Sequence, residues 1–310
     1  VSASIAATPY DALPAALVTE LAEAGLDPRA VYAAIVEALA EDLPPNGTGI
    51  DVTSEATLPD EVVTADFGAR EAGVVAGLGV AAMVFHYVLG DEVTLSDRVA
   101  DGTSVAAGDV VLRVTGPVKG VLIAERTALN FACHLSGVAT ATAAWVGALA
   151  GTNARVLDTR KTLPGYRALQ KYAVRCGGGV NHRFSLSDMA LVKDNHVVAA
   201  GGVLPAYRAV KERYPDLPVE VEVTDLDQVR DLLGVGCERI LLDNMSNAMM
   251  AEAVELRDAA GTGTVLEASG GLTFDRAREV AGTGVDFISV GALTHSVKVF
   301  DIGLDLPEDR

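Results

Sequence analysis

Residues 219–223 read "VEVEV". At the period of two of a β-strand, Glu220 and Glu222 share one face and three valines share the other. Carboxylates on a face turned toward an interior need cationic partners. Outward from this segment, apolar runs recur at "RVLDT", "MALVK", "RILLDN", "TVLEASG" and "FISVGAL", all between residues 155 and 293. Segments of helical composition, 166–176, 203–214, 225–234, 246–260 and 274–282, lie between them. Six strands alternating with helices predict βαβ units of a parallel sheet. Spacing allows an open doubly wound sheet or a closed barrel. The strand tips favour the barrel. They carry Arg160 and Lys161, Lys193 with Asp194 and Asn195, Glu222, Asp243 with Asn244, Ser269, and Gly291. An open sheet gathers its functional residues at one crevice, whereas polar tips on successive strands converge on a barrel mouth.

The charge pattern says what that mouth holds. Residues 155–193 contain eight Lys or Arg and two acids, a block of +6 in a chain of formal net charge −18, which leaves −24 for the remainder. One basic block in an acidic protein predicts a small polyanionic ligand. Nucleic acid is excluded, because the rest of the surface repels a phosphate polymer. Arg160, Lys161, Arg183 and Lys193, at or near strand tips, are the candidate anion ligands, Arg as a planar fork and Lys as a point charge. Arg155, Arg167, Lys171 and Arg175 read as surface groups or ion-pair partners of the acidic body. Glu222 and Asp243 are open to three roles: holding sugar hydroxyls, holding Mg²⁺, or stabilising a developing cation. Balancing the lysines is the competing structural role. Ser269, Gly270 and Gly271, and then Val290, Gly291 and Ala292, end the last two strands in turns where main-chain N–H groups can approach a phosphate. No metal-type Cys/His spacing and no H-E-x-x-H is present, and most of the five histidines read as structural.

The first part of the chain reads differently. Helical spacing covers 13–43, with Asp27-Pro28 opening a second helix, and "PPNGTG" stops it. Short β-like runs follow at "VVTADFG", "VTLSDRV" and "VVLRVTG". The Ala-rich segment 124–149 is the expected helical link to the rest. Residues 72–90 contain no Asp, Glu, Lys or Arg, but four glycines and the absence of a basic flank predict a buried helix or strand-turn-strand, not a membrane span. Three scattered cysteines suit a reducing compartment, and the N-terminus has no signal-peptide pattern, so the expected location is cytoplasmic. The hairpin-like segment 101–116 has the look of a carrier domain but holds no lysine for a prosthetic group.

"ERTALNFACHLSGVAT", "DTRKTLPGYRALQKYAVRCGGGVNHRFSLSDMALVKDNH", "VEVEV", "LLDN", "EASGG" and "ISVGALTHS" closely resemble the quinolinate phosphoribosyltransferase family, from about residue 47 to about residue 303. The resemblance implies an α/β fold: an N-terminal α/β sandwich domain, residues 1–136 joined by 296–310, and an incomplete, seven-stranded α/β barrel, residues 137–295. It implies a homodimer, with a hexamer of three dimers also open, whose small domain completes the partner's site. The implied reaction joins quinolinate to 5-phosphoribosyl-1-pyrophosphate (PRPP) with Mg²⁺, giving nicotinate mononucleotide, pyrophosphate and CO₂. By resemblance, Arg126, Arg160, His182, Arg183 and Lys193 hold the quinolinate carboxylates, with Thr159 beside them. Lys161, Glu222 and Asp243 form the catalytic set, with the two acids on the ribose hydroxyls and its Mg²⁺. The Ser269–Gly271 and Val290–Ala292 turns take the 5-phosphate. A relative acting on a different base, and a phosphosugar sensor without turnover, are the competing expectations.

Overall fold

Among the described residues twelve strands form: β1 (Val62–Ala69), β2 (Gly73–Val74), β3 (Thr94–Ser96), β4 (Ser104–Val105), β5 (Val110–Pro117), β6 (Arg155–Leu157), β7 (Ala190–Val192), β8 (Val219–Val223), β9 (Arg239–Asp243), β10 (Val265–Ser269), β11 (Phe287–Ser289) and β12 (Ile302–Asp305). The computed structural model describes residues 5–44, 47 and 49–306. Two compact units result. One comprises Val1–Ala141, Ala168–Gly177 and Val297–Arg310; the other comprises Thr142–Arg167 and Gly178–Ser296.

In the first unit, β12, β1, β5 and β3 form an antiparallel sheet in that order. β1 pairs with β5 from Val62↔Pro117 onward, with a bulge between Phe67 and Gly68. Alternate residues of β1 are buried, and the Phe67 ring meets Phe85 edge to face at 5.7 Å. Phe85 belongs to the helix Leu78–Leu89, which buries eleven of its twelve residues and accounts for the uncharged segment as a core helix. Asp101 starts it by accepting from the main-chain N–H groups of Gly77 and Leu78, at 2.8 and 3.0 Å, satisfying donors that a helix N-terminus leaves open. No described helix is long and apolar enough to cross a membrane. The second N-terminal helix runs Pro28–Asp42, with the Asp27 side chain accepting from Arg29 N–H as the Asp-Pro pair predicts. Its expected stop at "PPNGTG" falls largely outside the described residues.

The unit also takes in the helix segment Ala168–Gly177, which the sequence reading placed with the barrel. Its polar side chains face first-unit partners: Tyr172 donates to Asp101 at 2.7 Å, Gln170 meets His134 at 2.9 Å, and Arg175 donates to the Ala24 carbonyl. Lys171 on this helix is 1% exposed, so its reading as a surface group is corrected: the helix buries the face that carries it. The linking helix is longer than the Ala-rich segment, running Val118–Ala148.

In the second unit all six strands are parallel, in the order β6-β11-β10-β9-β8-β7. β8 buries four of its five residues, and β9 and β10 bury the middle three of theirs, as parallel strands covered on both faces do. Between β6 and β7 in sequence, Val180 makes a single parallel bridge to Leu157. This one-residue bridge is the only further pairing to the sheet among the described residues. One cavity of about 780 Å³ is lined from the C-terminal ends of all six strands. An open sheet fans its strand ends apart, so this convergence is the mark of an incomplete barrel.

Candidate active site

The turn after β6 brings the first cations into the cavity. Asp158, fully buried, accepts from the main-chain N–H of His182 at 2.8 Å and from Asn181 Nδ2 at 2.6 Å, joining the β6 tip to the segment that carries Arg183. Thr159 Oγ1 accepts from Lys161 N–H at 3.1 Å. Arg167, half-buried, acts as a brace, donating to Thr162 Oγ1 and the Phe184 carbonyl, each at 3.1 Å. Arg183 donates through Nη1 to the Met189 carbonyl at 3.1 Å. Burial and the charge of Arg160 both press the Arg183 guanidinium below its ordinary range. Asp188 closes the following turn, accepting from Phe184 N–H, Ser185 N–H and Ser185 Oγ. Burial pushes its carboxyl up, but these donors outweigh it and hold the group down at about 2. Arg160 Nε is the one buried side-chain nitrogen or oxygen among the described residues without a hydrogen-bond partner. A buried cationic donor left unpaired is costly, and an anion in the cavity would satisfy it.

The acids lie on β8 and β9. Glu222 is 3.7 Å from Lys193 Nζ. Burial pushes its carboxyl up, Lys193 opposes, and the charges of Asp243 and Asp194 add to the rise. Asn244 follows Asp243 in the left-handed region at φ 53°, which asparagine tolerates better than most residues. From there its Nδ2 donates to Asp243 Oδ2 at 2.8 Å, and its N–H donates to the Ser269 carbonyl at 3.0 Å. Gly270, at φ 90°, packs so closely that a Cβ there would sit 2.5 Å from Asn244 Cγ and Oδ1. A Cβ at Gly291 would meet Lys161 Cδ at 3.0 Å and His295 Nε2 at 3.3 Å. Both glycine turns therefore bring main chain close to functional side chains.

A buried ionic group forms the floor. Glu220 and Glu267 have side chains 0% and 1% exposed. His182 Nε2 lies 2.8 Å from Glu220 and 3.3 Å from Glu267; Arg239 reaches the same two carboxylates at 3.4 and 3.0 Å. Burial first, and then the charge of Glu267, push the Glu220 carboxyl up. Burial presses His182 down, while the two carboxylates outweigh it and lift the ring to about 9. The Arg183 N–H, 2.7 Å from His182 Nδ1, makes the opposite demand, since it needs a lone pair on that nitrogen. We read the ring as the neutral Nε2–H tautomer, because the main-chain donor is short, fixed by its peptide plane and unable to turn away.

Thr159, Arg160, Lys161, His182, Arg183, Lys193, Glu222, Asp243, Ser269, Gly270, Gly271, Val290, Gly291 and Ala292 all line the one cavity. Arg126 does not; it belongs to the first unit and lines a separate concavity there with Arg70, His134 and Lys298. The sequence reading did not single out Glu267, Ser289 or His295 as lining residues, and it named Asn244 only as a strand-tip neighbour. The period-two relation of Glu267 to Ser269 was the available signal for the first; His295 had none beyond its place after a glycine turn.

Fold and site together define an anion-binding α/β-barrel enzyme. The family description for the quinolinate phosphoribosyl transferase N-terminal domain matches residues 51–136, and that for the C-terminal domain matches residues 138–305. The chain is 52% identical over 274 residues to the nicotinate-nucleotide pyrophosphorylase [carboxylating] of Mycobacterium leprae, covering 88% of this chain and 95% of that one. It is 37% identical over 261 residues to the probable enzyme of the same name from Bacillus subtilis, covering 84% and 89%. The solved nicotinate-nucleotide pyrophosphorylase of Francisella tularensis superposes with a TM-score of 0.85 at 37% identity, over 90% of this chain and 96% of that one. The chain belongs to the quinolinate phosphoribosyl transferase family.

Proposed function

We propose that this chain transfers the 5-phosphoribosyl group of PRPP to quinolinate with loss of CO₂, the carboxylating step that supplies nicotinate mononucleotide for NAD biosynthesis. The observation that carries this reading is one cavity lined by Arg160, Lys161, Arg183 and Lys193 together with Glu222, Asp243 and two glycine turns. A pyridine dicarboxylate needs several cations at once, and an activated sugar phosphate needs acids for its hydroxyls and main-chain donors for its phosphate.

In the proposed mechanism Arg160, Arg183 and Lys193 hold the two ring carboxylates, with Thr159 and His182 beside them. The pyridine nitrogen attacks the ribose C1, and the C1–O bond electrons leave with pyrophosphate. Glu222 and Asp243 stabilise the positive charge that gathers on the sugar, and Lys161 neutralises the departing group. The ring nitrogen is now cationic. Its positive charge stabilises the carbanion left on the adjacent ring carbon when the carboxylate there departs as CO₂, and a proton then adds to that carbon. Ser269, Gly270, Gly271, Val290, Gly291 and Ala292 seat the 5-phosphate. Glu222 and Asp243 are hard oxygen donors suited to Mg²⁺ beside a pyrophosphate, which supplies charge neutralisation for the leaving group. Arg126 is assigned to the site of a partner subunit in a homodimer, a role supported by its exposed position in a first-unit concavity whose other cations, Arg70 and Lys298, are paired with Asp305 and Glu71. The cytoplasm is the proposed compartment, in keeping with three unpaired cysteines, two of them buried.

A turnover assay following CO₂ and pyrophosphate from quinolinate and PRPP tests the reading. Release of both in equal amounts is expected. A mononucleotide formed from nicotinate, with no CO₂ from quinolinate, overturns it.

A further inference from the structure

Glu220, Glu267 and Arg239 have no part in the chemistry above, yet they join β8, β9 and β10 to the segment that carries Arg183. Three of the atoms involved, one each from His182, Glu220 and Glu267, lie within 4.8 Å of one another, as metal ligands do. Arg239 already sets its guanidinium against both carboxylates and stacks over Phe287 with 5.1 Å to the ring centroid. Arg239 balances one of the two acids, burial and the charge of Glu267 push the other, Glu220, toward its neutral form, and a cation would have to displace Arg239 to enter. The group reads as a support.

What it supports follows from His182. Its Nε2 is fixed between the two carboxylates, which gives the imidazole one orientation. Its Nδ1 accepts the main-chain N–H of Arg183 at 2.7 Å. The ring is thus a strut between the floor and the Arg183 main chain, and both of its nitrogens are occupied by protein. Arg183 spends one donor on the Met189 carbonyl and keeps others of its five for a ligand. We propose that Glu220, Glu267 and Arg239 are positioning residues which, through His182, set the place of Arg183 and so the affinity for the dianionic pyridine ring. This deepens the proposed function and rests on it. His182 then serves quinolinate by holding Arg183, not by offering a nitrogen of its own.

The experiment is steady-state kinetics on the full chain carrying Glu220→Gln, Glu267→Gln or Arg239→Met, varying quinolinate and PRPP separately and recording thermal melting alongside. Losing one charge-assisted contact in the strut should raise KM for quinolinate roughly tenfold or more, while KM for PRPP stays within about twofold. In ¹⁵N-histidine spectra, the Nε2–H signal, assigned by its loss in His182→Asn, should shift in Glu220→Gln. Equal rises in both KM values, or an unchanged quinolinate KM in variants that only melt lower, overturn the proposal. Where a glutamine variant fails to fold, Arg239→Lys keeps the charge without the two-pronged contact and carries the same KM readout. A wild-type protein that releases no CO₂ from quinolinate would refute the underlying function. A wild type that turns over while no variant shows the split refutes only the positioning role.

Discussion

Gly270→Ala, alone and combined with Asn244→Gly, tests whether close packing at the β10 turn holds Asp243 in place. An alanine at φ 90° enters a region that costs an L-residue about 1–2 kcal/mol. Its Cβ would sit 2.5 Å from Asn244 Cγ, against the roughly 3.5 Å or more of an ordinary carbon contact. Asn244 must therefore move by about 1 Å, enough to break its 2.8 Å hydrogen bond to Asp243. The bond is exposed, so its loss is worth about 1 kcal/mol, below the range for a buried bond to a charged group. Gly270→Ala should then destabilise by about 2–3 kcal/mol and lower kcat through the misplaced Asp243. Asn244→Gly loses the same bond but relieves its own left-handed backbone, so its net stability change should be about zero. The double variant keeps the backbone cost of alanine and loses the clash. Equilibrium urea unfolding of all four proteins gives the coupling energy, expected at about 1 kcal/mol in favour of the double variant. Changes that add to within about 0.5 kcal/mol would show that the two residues do not meet as described.

Glu222→Gln or Asp243→Asn should lower kcat by roughly a hundredfold, with a smaller rise in either KM, because each carboxylate acts on charge that develops in the transition state. A lower melting temperature with normal turnover would instead mark a structural pair. Arg183→Ala should abolish quinolinate binding in calorimetry and leave PRPP binding largely intact; equal loss of both contradicts the assignment. Asp188 has its folded-state pKa depressed, from 3.8 to about 2. Its contribution to stability is therefore present above the unfolded value and lost as pH falls through the folded one. Acid denaturation followed between pH 5 and 2 should be less steep in Asp188→Asn, and an unchanged profile would show that the 184–188 turn does not depend on this carboxylate.

Much of the barrel was legible because its strands obey two simple patterns. Near-continuous apolar runs mark strands buried on both faces, and "RILLDN" and "TVLEASG" follow this rule, whereas "VEVEV" shows itself by its period of two. The cavity residues were legible because polar side chains at the ends of such runs have few places to go but the mouth. Three features were not. The helix Asp194–Ala200 directly follows β7, and its polar first turn reads equally well as a strand tip. Lys171 looked exposed because a lysine in a basic block ordinarily is, and only tertiary packing buries it. Arg126 sits on a helix whose periodicity shows nothing of what it faces.

The acids of the barrel show why residue type alone could not separate support from chemistry. Glu220 and Glu222 share a strand face, as do Glu267 and Ser269, and in each pair the two residues differ by about 6.6 Å in depth along the strand. Glu220 and Glu267 lie at the deeper level, fully buried, where an ionised carboxylate is tolerable only with His182 and Arg239 against it. Glu222 lies at the rim with a side chain 14% exposed, a 3.7 Å approach from Lys193 and the Asp194 main chain beside it, so it keeps hydrogen-bonding capacity for a ligand. Depth decides the role: a carboxylate two residues before the tip is spent on the protein, and one at the tip is available to substrate. Moving the deep acid to the other strand face by Glu220→Val with Val223→Glu leaves the rim acid Glu222 in place but puts a carboxylate where Val223 is fully buried, away from His182 and Arg239. Such a variant should lose the floor and gain a buried unpaired charge, and it should fail to fold.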